Sequence, residues 1–187
     1  KLQQSSLQLQ EVVVYGNNQF VYDLVSKCRQ LLAASPVTES KAYFTLSTDA
    51  GAQATELLEC HYNARQNNAA LQNLAFKNGR VGLAPIGNRF FVSLNTSKAI
   101  SFIDLLNNTG QFPEIPLQLN PKQLKKKFNL SLADTAASEN YHIRFEPRKK
   151  DSRAFAGELW IDRQSGQLNK VVLNVNNARV HPFLPLF

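Results

Sequence analysis

The sequence predicts an α+β fold: a strongly curved antiparallel β-sheet, a half-barrel, wrapping one or two α-helices. Three observations predict it. Tyr141–Val175 alternates apolar and polar residues over three successive runs, the period of strands with one dry face. Gln19–Ala34 instead carries its apolar residues at helical spacing, as a helix covering a sheet would. The glycines between these regions sit in turn-like stretches, Gly79 and Gly87 each beside an Asn, where hairpin turns need them.

Taken in order, Lys1–Gln10 is rich in Gln and Ser and reads as a tether. Glu11, Val12, Val13 and Val14 form a short β-prone run closed by Gly16. Such a run is an edge strand, or an arm that pairs with another chain, so these four are candidate partner-docking residues. Residues 1–16 are therefore expected to form a linker or docking arm and 17–187 an α+β domain, with truncation at the C-terminal end as one expectation.

Asn17 or Asn18 can cap the helix, and Pro36 stops it. Phe20, Val21, Leu24, Val25, Cys28, Leu31 and Leu32 form its stripe. Tyr43–Ser47 and Ala54–Asn63 read as strands, the second with Leu58, Cys60 and Tyr62 on one face and Glu59 and His61 on the other. Leu71–Phe76 and Val81–Leu83 flank Asn78-Gly79, which predicts a hairpin turn there. Pro85–Asn88 is a further turn, and Phe90, Val92 and Leu94 continue as a strand. Ser97–Leu106 reads as a second helix and Gln111–Leu119, with Pro113 and Pro116, as an extended loop. Asn120-Pro121 opens a short helix with Leu124 and Phe128 on its buried side. Leu130 and Leu132 begin the next strand.

In Tyr141–Val175, Tyr141, Ile143 and Phe145 share a face with Phe155, Leu159 and Ile161 of the following strand, Gly157 thinning it. Asp162–Gly166 supplies the turn, and Gly166 can take a positive φ. Val171, Leu173 and Val175 close the set.

The chain carries 21 basic and 14 acidic residues, a formal charge of +7. That favours anionic partners without choosing among them. The excess is local, and Lys125, Lys126, Lys127, Arg148, Lys149 and Lys150 are candidate contacts to an anionic surface; the plainer reading is a solvated face. The basic runs lack interleaved aromatics on one strand face, which argues against nucleic acid. No apolar run reaches the roughly 18 residues of a spanning helix. The chain has no Met, which predicts a processed or excised piece of a longer product.

Reaction chemistry is not visible. His61 with Glu59 gives at most two ligands, short of a stable zinc site. No nucleophile-elbow or phosphate-loop pattern occurs. No catalytic residue and no cofactor are assigned, although a triad assembled in space stays open. Cys28 and Cys60 look like buried small hydrophobes, and could form a disulfide if the helix covers that strand. Trp160 lies opposite the apolar face of its strand, where it either anchors a partner or packs under a neighbouring element.

A family resemblance adds to this reading. The run Phe76-Lys77-Asn78-Gly79-Arg80-Val81-Gly82-Leu83-Ala84-Pro85, then Asn88–Ala99, Phe155–Asp162 and His181-Pro182-Phe183-Leu184-Pro185 carry it. Together they resemble the segment that follows the carboxypeptidase-like regulatory domain in a class of Gram-negative cell-envelope proteins. Leu9–Gly16 resembles the end of that domain and its linker, and the Glu-Val-Val-Val segment near the start of TonB-dependent receptors. The resemblance implies export to the periplasm or outer membrane and a half-barrel similar to lipoprotein-carrier domains. It implies no peptidase activity, and no family catalytic residue maps onto this chain. The resulting expectation is a non-enzymatic envelope module that binds an outer-membrane or periplasmic protein, as part of a receptor or assembly complex. The alternative is a carrier of an apolar, lipid-like ligand held between sheet and helices; a hydrolase is a third.

Overall fold

The computed structural model describes residues 19–90, 92, 103–108, 110, 112–133, 138–149 and 153–175. The first helix, α1 (Gln19–Ala33), buries Val21, Tyr22, Val25, Cys28 and Leu32. Tyr22 belongs to this stripe although its hydroxyl is polar, because that hydroxyl donates to the Phe128 carbonyl at 2.9 Å. Phe20 sits at the margin of the stripe, exposed, with its ring edge-on to Tyr141 at 5.5 Å. The last turn is closed by Ala34 N–H on the Gln30 carbonyl and by the Ser35 hydroxyl on that of Leu31, immediately before Pro36. The Asn17 or Asn18 cap lies outside the described residues.

Three long strands follow: β1 (Thr38–Ala50), β2 (Gln53–Gln66) and β3 (Leu71–Leu83), antiparallel and in that order. Gly51, at φ 64°, turns β1 into β2. The Asn67 side chain accepts from the N–H groups of Ala69 and Ala70 and so folds the β2–β3 connection. Ala69 is buried in the main core, which ties this end of the sheet to the rest of the fold.

The turn expected at Asn78-Gly79 is absent. Both residues lie within β3, paired with His61 and Cys60 of β2. The register slips by one residue between Tyr62↔Phe76 and His61↔Asn78, so Lys77 is the extra residue of a β-bulge. A Cβ on Gly79 would stand 2.5 Å from the Glu59 carbonyl oxygen. Gly79 thus permits close approach of two strands rather than a reversal of one. The Pro85–Asn88 turn is present, with Gly87 at φ 61° and Ile86 bridged to Arg89. Of the strand expected next, Phe90 and Val92 are exposed and unpaired with any strand, and Leu94 lies outside the described residues.

Of the second helix, residues 97–102 also lie outside them. Ile103–Leu106 is not helical, because the Asp104 side chain accepts from the N–H groups of Leu106 and Asn107 and holds a turn instead. The loop expected at Gln111–Leu119 contains a one-turn 3-10 helix, Pro116–Gln118. Ile115, Pro116 and Leu117 there are buried core. Asn120 caps α2 (Pro121–Lys127) by accepting from Gln123 N–H at 3.0 Å, with Pro121 at the first helical position.

The second sheet runs β4 (Phe128–Leu132), β5 (Asn140–Pro147), β6 (Phe155–Asp162) and β7 (Leu168–Val175), antiparallel and in chain order. Its apolar face presents Phe128, Leu130, Ile143, Phe145, Leu159 and Ile161, all fully buried. The α1 stripe and the 3-10 turn complete that core. Asp162 organises the β6–β7 turn by accepting from Gln164 N–H, Ser165 N–H and the Ser165 hydroxyl, and Gly166 takes φ 72°. These bonds, those from Ser165 foremost, hold the Asp162 carboxyl below its usual range.

The α+β class and the antiparallel pairing therefore stand, but the strands form two sheets rather than one, and no barrel closes. The tightest point is Gly157, directly opposite Phe145. A Cβ there would collide with the Val172 carbonyl oxygen of β7 and come within 2.8 Å of the Phe145 ring. Gly157→Ala is expected to lower stability by about 2 kcal/mol or more in chemical denaturation. Gly82→Ala, whose new Cβ meets nothing nearer than Leu57 at 3.9 Å, should change it by less than about 0.5 kcal/mol. Equal effects at the two positions would remove the packing argument.

Candidate functional site

Each face of the two sheets presents a different surface. On the polar face of the three-stranded sheet, Glu59 of β2 accepts from the Tyr43 hydroxyl of β1 at 2.7 Å and pairs with Arg80 of β3. Arg80 first, then Tyr43, holds the Glu59 carboxyl below its usual range, and the bond to Glu59 raises the Tyr43 phenol. His61 lies beside Tyr43, ring centroids 4.9 Å apart. The Glu59–His61 pair considered as metal ligands is thus occupied by a cross-strand ladder of hydrogen bond and ion pair. Among the described residues no group of three or more His, Cys, Asp or Glu converges on a metal-sized position.

On the outer face of the four-stranded sheet, Trp160 is half-buried among its own neighbours. His142, opposite it on β5, stacks on the ring at 4.3 Å and 14°, and Lys170 of β7 places its ammonium 4.6 Å from the ring centroid. His142 Nε2 stands 3.2 Å from Glu158, and becomes a charged partner of it when protonated. The indole is therefore supported from both flanking strands. Glu11, Val12, Val13 and Val14, the other candidate docking residues, lie outside the described residues.

The basic residues do come together, because α2 leads directly into β4 and β4 pairs with β5. Arg148 donates its backbone N–H to the Lys127 carbonyl and its guanidinium to the Lys125 carbonyl, so it caps the C-terminus of α2. Lys125 reaches Gln19 on α1. Lys127 holds both oxygens of Glu114, at 2.6 and 2.7 Å. Three of the candidate surface contacts are thus engaged within the fold. Lys126 and Lys149 line a cavity of about 570 Å³, together with Arg153. Lys150 lies outside the described residues. Arg153 was not singled out in the sequence; it lies three positions beyond the basic run, close enough to have suggested a return into the same cluster.

A second cavity, about 530 Å³, opens between the two sheets. One wall is Phe44 of β1 with Ala69 of the β2–β3 connection and Leu71 at the start of β3. Val171, Leu173 and Val175 of β7 form the facing wall, and Ile103, Leu105 and Phe155 its floor. Gln66 and Asn68 supply side-chain polarity at the edge. The floor is fixed by Leu105 N–H on the Ala69 carbonyl, 2.9 Å. No sequence pattern announced this groove, since its residues come from five separate segments.

Comparison with models of known protein families, with curated proteins and with solved structures finds no match to this chain.

Cys28 and Cys60 are both buried and both free, so the disulfide considered above does not form. Cys28 faces the core under α1, whereas Cys60 lies mid-strand in β2, outside that core. Burial pushes the Cys28 thiol up to about 12. Neither thiol should react with a bulky aromatic disulfide reagent in the native protein at pH 8, and both should react once it is unfolded. Rapid native labelling of Cys28 would contradict the packing of α1 on the sheet.

Proposed function

We propose that the chain is a non-enzymatic binding module of the cell envelope that carries an apolar, lipid-like ligand. The observation that carries this reading is the groove between the sheets. Its volume lies within the range of small-molecule sites, and its lining is aliphatic and aromatic with two amides at the rim. Such a surface offers an acyl chain contact without stranding a polar group, and offers a polar substrate almost nothing to bond. This reading takes the two sheets as adjoining walls of an open half-barrel, with the groove as its cleft. The resemblance to envelope proteins supplies the periplasmic or outer-membrane setting. Among the described residues no helix is long and apolar enough to cross a membrane.

The other reading is a component of an outer-membrane receptor or assembly complex. It draws support from Phe76 and Val81 on β3, which are 62% and 54% exposed on the apolar side of the three-stranded sheet. A protein partner would cover them, whereas a ligand in the groove would leave them wet.

The test is binding of a fluorescent fatty acid to delipidated protein. The expected result is saturable uptake that Leu173→Asp reduces by tenfold or more and Lys41→Gln leaves unchanged. Retention of full uptake in Leu173→Asp, with the variant shown folded by circular dichroism, would count decisively against the groove.

A further inference from the structure

We propose that the polar face of the three-stranded sheet carries a binding site for a neutral saccharide, with one pyranose ring seated on Tyr43. A third cavity, of about 650 Å³, lies there, lined by Tyr43, Glu59, His61, Asn78, Gly79 and Arg80. It shares none of these residues with the groove between the sheets, so neither site depends on the other. Glu59 pairs across the strands with Arg80, and His61 with Asn78, which puts all four on one face. Tyr43 joins them from β1, directly opposite His61. The bulge at Lys77 is what makes this set. Phe76 shares the apolar side with its partner Tyr62, and strict alternation from Phe76 would turn Asn78 and Arg80 to that side too. The extra residue reverses the alternation and brings both beside Glu59.

These side chains are held in place while much of their bonding capacity is unspent. The Glu59 carboxylate accepts from the Tyr43 hydroxyl and from Arg80 Nε, which fixes it between two strands. Its side chain is 18% exposed against 78% for that of Arg80, so the carboxylate is recessed and the guanidinium stands outward. Among the described residues, the two terminal nitrogens of Arg80, the imidazole nitrogens of His61 and the amide of Asn78 hold no hydrogen bond. Arg80 and Glu59 offset each other's charge, and the set offers donors and acceptors together. Each hydroxyl of a sugar both donates and accepts, so a polyhydroxyl ring uses both kinds of group at once. The Tyr43 ring supplies the apolar partner. His61 backs it, and Tyr43 remains 55% exposed, so ring surface stays available. The C–H face of a pyranose lies on such a surface through dispersion and weak C–H contacts. A carboxylate already fixed by two partners lowers the ordering cost of binding.

The test titrates the methyl glycosides of glucose, galactose, mannose and N-acetylglucosamine into the whole isotope-labelled protein, followed by amide NMR. Saturable shifts of the Asn78, Gly79 and Arg80 amides with at least one glycoside are the expected result. Tyr43→Ala should weaken that affinity by about tenfold or more, and Tyr43→Phe by less, because it keeps the ring and loses only the bond to Glu59. Arg80→Gln should weaken it by about fivefold. Glu39→Gln, on the same face of β1 but outside the cavity, should change nothing. The amide spectrum of each variant before titration shows that its sheet is folded. Acetate and glycerol are titrated beside the glycosides. Acetate binding with no glycoside bound would make Arg80 a carboxylate site, and equal shifts from glycerol and every glycoside would reduce the cavity to solvated surface. Either result would overturn the assignment, as would no saturable shift from any glycoside, or equal losses from Glu39→Gln and Tyr43→Ala.

Discussion

The fold depends on α1 lying flat on the apolar face of the four-stranded sheet. Val25, Cys28 and Leu32 are dry only because that sheet is beneath them, and Phe128 and Leu130 only because the helix is above. Each fully buried aliphatic side chain of this kind contributes about 1.5–3 kcal/mol relative to exposure, which outweighs any single hydrogen bond at the boundary. The bond from the Tyr22 hydroxyl to the Phe128 carbonyl then fixes where along the sheet the helix sits. It joins α1 to the first residue of β4, the point where α2 gives way to sheet. Arg148 reaches the same Tyr22 hydroxyl at 3.3 Å, so helix, sheet edge and α2 terminus meet at one residue.

Among the described residues, the three-stranded sheet has no such cover of equal extent. Its central strand buries Leu58, Cys60 and Ala64 between flanking strands, while Phe76 and Val81 on the outer strand stay exposed. Long antiparallel strands hold this arrangement by backbone pairing and by ladders such as Tyr43–Glu59–Arg80, whose exposure to water limits what the ion pair adds. The sheet is therefore fastened to the core mainly at Ala69, and the apolar groove opens where the two sheets diverge from that attachment.

How much was legible in the sequence follows from how local each signal is. The alternation of Tyr141–Val175 fixed both the strands and their buried face, because a two-residue period has one arrangement with Ile143, Phe145, Leu159 and Ile161 all inside. Asn120-Pro121 marked the start of α2 for an equally local reason. Asn78-Gly79 misled because its turn propensity is worth less than the ladder formed by pairing all of β3 with β2. The Asp104 side chain holds a turn where the apolar spacing predicts helix, and Pro116 begins a buried turn within the stretch that its two prolines predict to be an extended loop. The sites were less legible than the fold. Leu173 and Phe44 form opposite walls of one groove, and Lys126, Lys149 and Arg153 one pocket, only after the strands have paired.

The two cavities share a partition. Ile103 and Phe155 line the groove, Asn108 and Phe112 line the basic pocket, and all four border the small space between them. That space holds about 10 Å³, less than a ligand chain needs and near the lower limit for one water. Phe112 and Phe155 are both buried there, so their rings cannot swing into solvent without opening the core. Phe155 thus lines the groove and this small space at once, with its N–H held by the Glu114 carbonyl.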